Sequence, residues 1–147
     1  MIRTLSLTDI APIPLEINES SDYWDGTTAY ESTPESEWWF RDLSERCNTL
    51  VSAELGIKTS VMEDSCKLIR ISGDGLPPHD DGGDSKISCI VSLEVPDIGG
   101  ELIFTKQRKS IKPKKNLLVF FPNTSDYTHM VNIFEGDRLV FITYLVY

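Results

Sequence analysis

The chain has 147 residues, 40% of them hydrophobic and 10% aromatic, and its 23 acidic and 14 basic side chains give a net charge of −9. That is the length of one domain, spanning 1–147, and the composition of a folded globule. The acidic balance argues against nucleic-acid binding, which rests on clustered Lys and Arg, and no apolar run approaches the ~18 residues that cross a bilayer.

In chain order, a strand is expected over 2–7, then a proline-punctuated extended piece over 12–17 and a polar, glycine-containing loop over 18–32. Pro34, with Glu35 and Glu37 beside it, reads as a helix start. Trp38, Trp39, Leu43, Cys47, Leu50, Val51 and Leu55 recur at helical spacing, and Gly56 is placed to stop the helix. Both tryptophans are expected on its packing face. From residue 58 the pattern changes to short β segments, at 67–72, 78–81, 85–95, 101–105, 109–112, 116–121, 127–132 and 137–146. Gly73-Asp74-Gly75, Gly82-Gly83, Gly99-Gly100, Pro122-Asn123 and Glu135-Gly136 supply turn signals.

Many short strands behind one helix predict a mainly β jelly roll, with 1–57 supporting a β core over 58–147. Leu117-Leu118-Val119-Phe120-Phe121 and Leu139-Val140-Phe141-Ile142 are apolar at every position, so both faces of these strands should be buried. Polar residues that interrupt such strands call for a reason. The basic segment 106–115 reads as a solvated strand edge. Cys47, Cys66 and Cys89 are odd in number and lack a C-x-x-C pair, which points to free thiols rather than a disulfide framework or a zinc ribbon. The residues 1–6 lack the apolar core of a signal peptide, so a cytoplasmic location is expected.

Only two histidines are present. His79 stands in Pro77-Pro78-His79-Asp80-Asp81-Gly82-Gly83, and His79 and Asp81, two apart, leave the same face of an extended segment. His129 precedes Arg138 by nine positions. A hairpin around Glu135-Gly136 with an even connection would set both on one face. Two neutral imidazoles and one carboxylate form the facial ligand set of oxygen-activating non-haem iron. Arginine is the cation suited to hold the far carboxylate of an acidic cosubstrate. Each residue taken singly has a plainer reading. His79 could be a surface loop histidine, His129 a hydrogen-bonded core histidine, and Arg138 an exposed strand-start arginine in a salt bridge.

Taken together, four segments resemble the iron(II)- and 2-oxoglutarate-dependent oxygenases, above all the prolyl 4-hydroxylase branch. His79-Asp80-Asp81 matches the family's H-x-D, and Gly99-Gly100-Glu101-Leu102-Ile103-Phe104 its GGEL segment. The run from Ile111-Lys112-Pro113 to Val119-Phe120-Phe121-Pro122 matches its proline-to-phenylalanine strand. His129-Met130-Val131 with Gly136-Asp137-Arg138 matches its distal histidine and arginine. The resemblance covers about 68–147. It implies a double-stranded β-helix, His79, Asp81 and His129 as iron ligands, Arg138 on the distal carboxylate of 2-oxoglutarate, and no catalytic residue beyond the metal ligands. It further implies O2 as oxidant, ascorbate as an accessory reductant, and closure of the loop 80–86 over substrate.

The chain departs from the family pattern in detail. Leu68-Ile69-Arg70-Ile71 offers no tyrosine where one is usual, Ser92 stands about where another often lies, Asn116 replaces a glycine, and Tyr144 lies near the usual tryptophan. The expected activity is hydroxylation of a peptide or protein side chain, most of all prolyl. The alternatives are hydroxylation of a small molecule such as a free amino acid, and a non-catalytic metal-binding jelly roll.

Overall fold

Strands that are apolar at every position can exist only if something covers each face, and the fold meets that demand with a helix on one side and a second sheet on the other. The computed structural model describes residues 1–20, 26–82 and 86–147. Its strands are β1 (Arg3–Ser6), β2 (Ile17–Ser20), β3 (Thr27–Ser32), β4 (Ser60–Val61), β5 (Lys67–Ile71), β6 (Leu76–His79), β7 (Lys86–Glu94), β8 (Ile98–Gly99), β9 (Leu102–Phe104), β10 (Lys109–Ile111), β11 (Leu117–Pro122), β12 (His129–Val131), β13 (Phe134–Glu135) and β14 (Leu139–Val146). The helix α1 covers Glu37–Leu55.

A major antiparallel sheet runs β1-β11-β7-β14-β5-β3-β2, with β4 also paired to β14. A minor sheet runs β10-β9-β12-β6, and β8 pairs with β13. This is the jelly roll expected from the spacing of the strands. No described helix is long and apolar enough to cross a membrane.

Alternation along β14 sorts its side chains into two cores. Leu139, Phe141 and Leu145 point to α1 and pack with Trp39, Phe40, Leu43, Cys47 and Val51. Val140 points the other way, into the space between the sheets, with Ile69, Phe104, Phe121 and Val131. Phe141 is fully buried and meets Trp39 edge-on at 5.8 Å between ring centroids. Burial pushes the Cys47 thiol up to about 12, and Cys89 is buried beside it; all three cysteines are free.

Gly56 ends the helix in the left-handed region (φ +66°), with its N–H donating to the Ser52 carbonyl. Asn116 has φ +66° just before β11, a region that Asn tolerates better than most residues.

Four expectations are corrected. Residues 18–32 are not all loop, because β2 and β3 extend the major sheet; a polar strand at a sheet edge lacks the apolar alternation that marks a strand. Trp38 is 55% exposed and only Trp39 packs, since adjacent helix positions lie ~100° apart. The segment 78–81 ends as a strand at His79, leaving Asp81 beyond it. Residues 129–138 are not a hairpin, because β12 belongs to the minor sheet and β14 to the major sheet, with β13 between them bonded to β8. The segment 106–115 does include the edge strand β10, with Lys109 and Ser110 exposed.

Phe141→Ala should destabilise the protein by about 3–5 kcal/mol, the usual cost of emptying a buried aromatic site. Guanidinium unfolding would measure it, and a loss under about 1 kcal/mol would show that the helix is not clamped through this ring.

Candidate metal centre

The pairing of β12 with β6 sets His129 directly opposite His79. Directly opposed residues project side by side on one face, so the two imidazoles stand 4.4 Å apart between centroids. Each ring is oriented by its own backbone. His79 Nδ1 donates to the Pro77 carbonyl at 2.9 Å, and His129 Nδ1 donates to the Tyr127 carbonyl at 2.8 Å. A carbonyl can only accept, so the proton sits on Nδ1 and the Nε2 lone pair of each ring is turned outward.

Both lone pairs face Asp81. Its Oδ1 lies 3.8 Å from His79 Nε2, and its Oδ2 lies 3.8 Å from His129 Nε2. Asp81 sits past the end of β6, where Gly82 turns the chain at φ +67°. Ser88 on β7 donates to Asp81 Oδ2 at 2.9 Å and fixes the carboxylate. The three residues offer donor atoms that all lie within 4.8 Å of one another. That donor set, with both imidazoles presented by Nε2, fits a divalent metal such as iron(II). The sequence expectation that His79, Asp81 and His129 converge is met in geometry, although Asp81 arrives from a turn rather than from the strand.

His129 is buried against Phe104 and Phe121. Burial lowers its pKa below the ordinary histidine range, the Tyr127 carbonyl and Asp81 opposing, which favours the neutral ring that a metal requires. His79 and Asp81 are more open, with side chains 19% and 15% exposed against 3% for His129. The approach to the centre is therefore from their side.

Behind the triad a cavity of about 90 Å³ runs between the two sheets. Its walls are mostly apolar, with Ile69, Leu76, Leu102 and Val140 among them, and Arg138 lines it together with the triad. Arg138 is 7% exposed. Burial alone lowers its pKa to about 10, and no charged neighbour among the described residues offsets that. A buried guanidinium without a counterion is costly unless an anion joins it. Thr27 Oγ1 is also buried on this cavity without a hydrogen-bond partner. An unpaired cation and an orphaned hydroxyl in one apolar cavity fit a carboxylate guest.

Two of these residues escaped the sequence reading. Ser88 interrupts the apolar run of β7 at an inward position, and that interruption was its signal. Thr27 lay in the stretch read as loop and carried none. Ser92 is not among the residues that line the cavity, and its backbone carbonyl accepts from the Asn116 N–H at 2.7 Å. Tyr144 does line the cavity. Residues 83–85 of the loop expected to close over substrate lie outside the described residues.

The profile of the 2OG-Fe(II) oxygenase superfamily matches residues 66–146. No curated protein sequence matches the chain. Among solved structures, a viral collagen prolyl hydroxylase from Paramecium Bursaria Chlorella virus-1, in complex with 2-oxoglutarate, is similar at 17% identity and a TM-score of 0.68, over 82% of this chain and 79% of that one. A Trichoplax adhaerens prolyl hydroxylase in complex with a hypoxia inducible factor peptide gives 18% identity and 0.65, over 82% and 63%. HygX from Streptomyces hygroscopicus, with nickel, 2-oxoglutarate and hygromycin B bound, gives 12% and 0.65, over 88% and 73%. At such identities these structures establish the jelly-roll fold alone. The profile does more, since it takes in over half of the chain and every strand that brings a donor to the centre: the protein belongs to the 2OG-Fe(II) oxygenase superfamily.

Proposed function

We propose that this protein is an iron(II)- and 2-oxoglutarate-dependent dioxygenase that hydroxylates a peptide or protein side chain, with prolyl the favoured target. The observation that carries the reading is the sharing of one cavity by the convergent His79, Asp81 and His129 and the unpaired, buried Arg138. In this reading the first three hold the metal and Arg138 holds the distal carboxylate of 2-oxoglutarate. When bound, the iron and cosubstrate supply oxygen activation: one atom of O2 enters the substrate C–H bond as hydroxyl, the other enters succinate, and carbon dioxide leaves.

The protein's own part is positional. The Pro77 and Tyr127 carbonyls hold the imidazoles in one tautomer, Ser88 aims the carboxylate, and the apolar walls keep bulk water from the reacting centre. Arg138 fixes the orientation of the cosubstrate through paired N–H donors. Ascorbate is the proposed accessory reductant. Free thiols suit a reducing compartment, and a cytoplasmic setting is proposed on that ground.

The size of the cavity bears on substrate. About 90 Å³ is well below the ~300–1,000 Å³ of sites that enclose a drug-sized ligand. A cosubstrate would fill it, and the substrate would meet the metal at the mouth beside His79 and Asp81. An extended peptide presenting one side chain suits that arrangement, and two of the similar structures are prolyl hydroxylases. The similarity to HygX, which binds hygromycin B, favours a small-molecule substrate as the second reading. Substrate-stimulated succinate formation with prolyl peptides, set against free amino acids, separates the two.

Anaerobic iron(II) with 2-oxoglutarate should give a broad visible charge-transfer band that is absent or much weaker in Arg138→Ala at the same cosubstrate concentration. No band from the unaltered protein at saturation would remove the oxygenase reading. His129→Ala should keep its circular dichroism and lose succinate production; continued production would sink the metal assignment. Ser88→Ala should weaken metal affinity about tenfold or more, as loss of an outer partner of a ligating carboxylate commonly does. Competition against a metal indicator measures this, and unchanged affinity would reduce Ser88 to a packing residue.

A further inference from the structure

Thr27 sits in a part of the chain that the family profile does not reach, since the match begins at residue 66. Among the described residues its Oγ1 is buried without a hydrogen-bond partner, a state in which folded proteins seldom leave a polar atom. It lines the same cavity as Arg138. The register shows how two residues so distant in sequence meet. Arg70 on β5 pairs with Leu139 of β14 on one side and with Thr28 of β3 on the other. Arg138 and Thr27 are the chain neighbours of those two partners at the same end, so they flank β5 on its inward face. Two strand spacings, roughly 10 Å, separate their backbones. The inward residues of β5 between them are Ile69 and Ile71, which offer no polar atom.

We infer that Thr27 is the second anchor of the 2-oxoglutarate distal carboxylate, donating its hydroxyl to the oxygen face that Arg138 leaves uncovered; this rests on the reading of the cavity under Proposed function. A carboxylate accepts about four hydrogen bonds, of which a guanidinium fork supplies two. Without a further donor, a carboxylate held only by Arg138 among isoleucine side chains would keep lone pairs unsatisfied in an apolar enclosure. Among the described residues that line the cavity, Thr27 carries a buried hydroxyl without a hydrogen-bond partner, whereas the Ser88 hydroxyl is committed to Asp81.

The assignment predicts opposite effects on stability and binding. Thr27→Val keeps the side-chain shape and removes the orphaned hydroxyl. The variant should therefore melt at or above the temperature of the unaltered protein when both are without ligand. Its affinity for 2-oxoglutarate, measured by titration calorimetry on the manganese(II)-loaded protein, should fall about tenfold or more, the usual loss for a hydrogen bond to a charged group. Thr27→Ser retains the donor and should bind within about threefold of the unaltered protein.

If the unaltered protein binds 2-oxoglutarate and Thr27→Val binds it equally well, Thr27 has no such role while the oxygenase reading stands. If Thr27→Val binds weakly because it is misfolded, its melting transition shows this and Thr27→Ser decides: binding weakened as much as in an Arg138→Ala control overturns the inference, and retained binding upholds it. If the unaltered protein itself does not bind 2-oxoglutarate, the reading and this inference fall together.

Discussion

The burial of both faces of the central strands is the constraint on which everything else depends. Helix α1 covers one face of β7 and β14 through Trp39, Phe40 and Val51, and the minor sheet covers the other. With both sides closed, the period of two along a strand becomes a division of labour. On β7, Ile87, Cys89 and Val91 pack toward the helix while Ser88 turns inward to the carboxylate of Asp81. On β14, Leu139, Phe141 and Leu145 carry packing while Val140 and Tyr144 line the cavity. Ser88, Val140 and Tyr144 thus stand on strands whose alternate residues pack against the helix.

That arrangement leaves a small number of polar groups in a space that is otherwise apolar. Some are satisfied within the protein: the two imidazole N–H groups reach backbone carbonyls, and Ser88 reaches Asp81. Others are not. Among the described residues, Arg138 has no charged neighbour and the Thr27 hydroxyl no hydrogen-bond partner. Folded proteins seldom leave buried polar groups unmatched, and these two line the same cavity. Under the proposed function, a carboxylate that pairs with both groups would gain binding free energy from them.

The sequence was informative where a residue type violated its surroundings. Gly56 marked the end of the helix, whereas Pro34 was read as its start and the helix begins at Glu37; turn signals bounded most of the strands. His79, Asp81 and His129 were legible because two imidazoles and a carboxylate have few other reasons to recur in a family's order. The path that joins them was less so. A hairpin from His129 to Arg138 was the short-range solution, but β12 and β14 pair with different neighbours, and such long-range choices leave no local mark. Strands β2 and β3 were invisible for a related reason. β2 is the outermost strand of the major sheet and β3 the next, and their mostly polar residues show no apolar alternation. Thr27 was hidden with them.

The margin of the minor sheet carries its own consequence. Strand β10 has no neighbour on its outer side among the described residues, and Lys109 and Ser110 stand exposed along it. Free backbone N–H and C=O groups on such a margin would template the docking of a second copy, strand to strand. Here the segment is crowded with like charge, from Lys106 and Arg108 through Lys112 to Lys114 and Lys115. Two copies brought margin to margin would press these ammonium and guanidinium groups together as they lost water. A chain that is acidic in the aggregate thus gathers six of its fourteen basic side chains at a sheet margin where repulsion between copies opposes strand-to-strand docking.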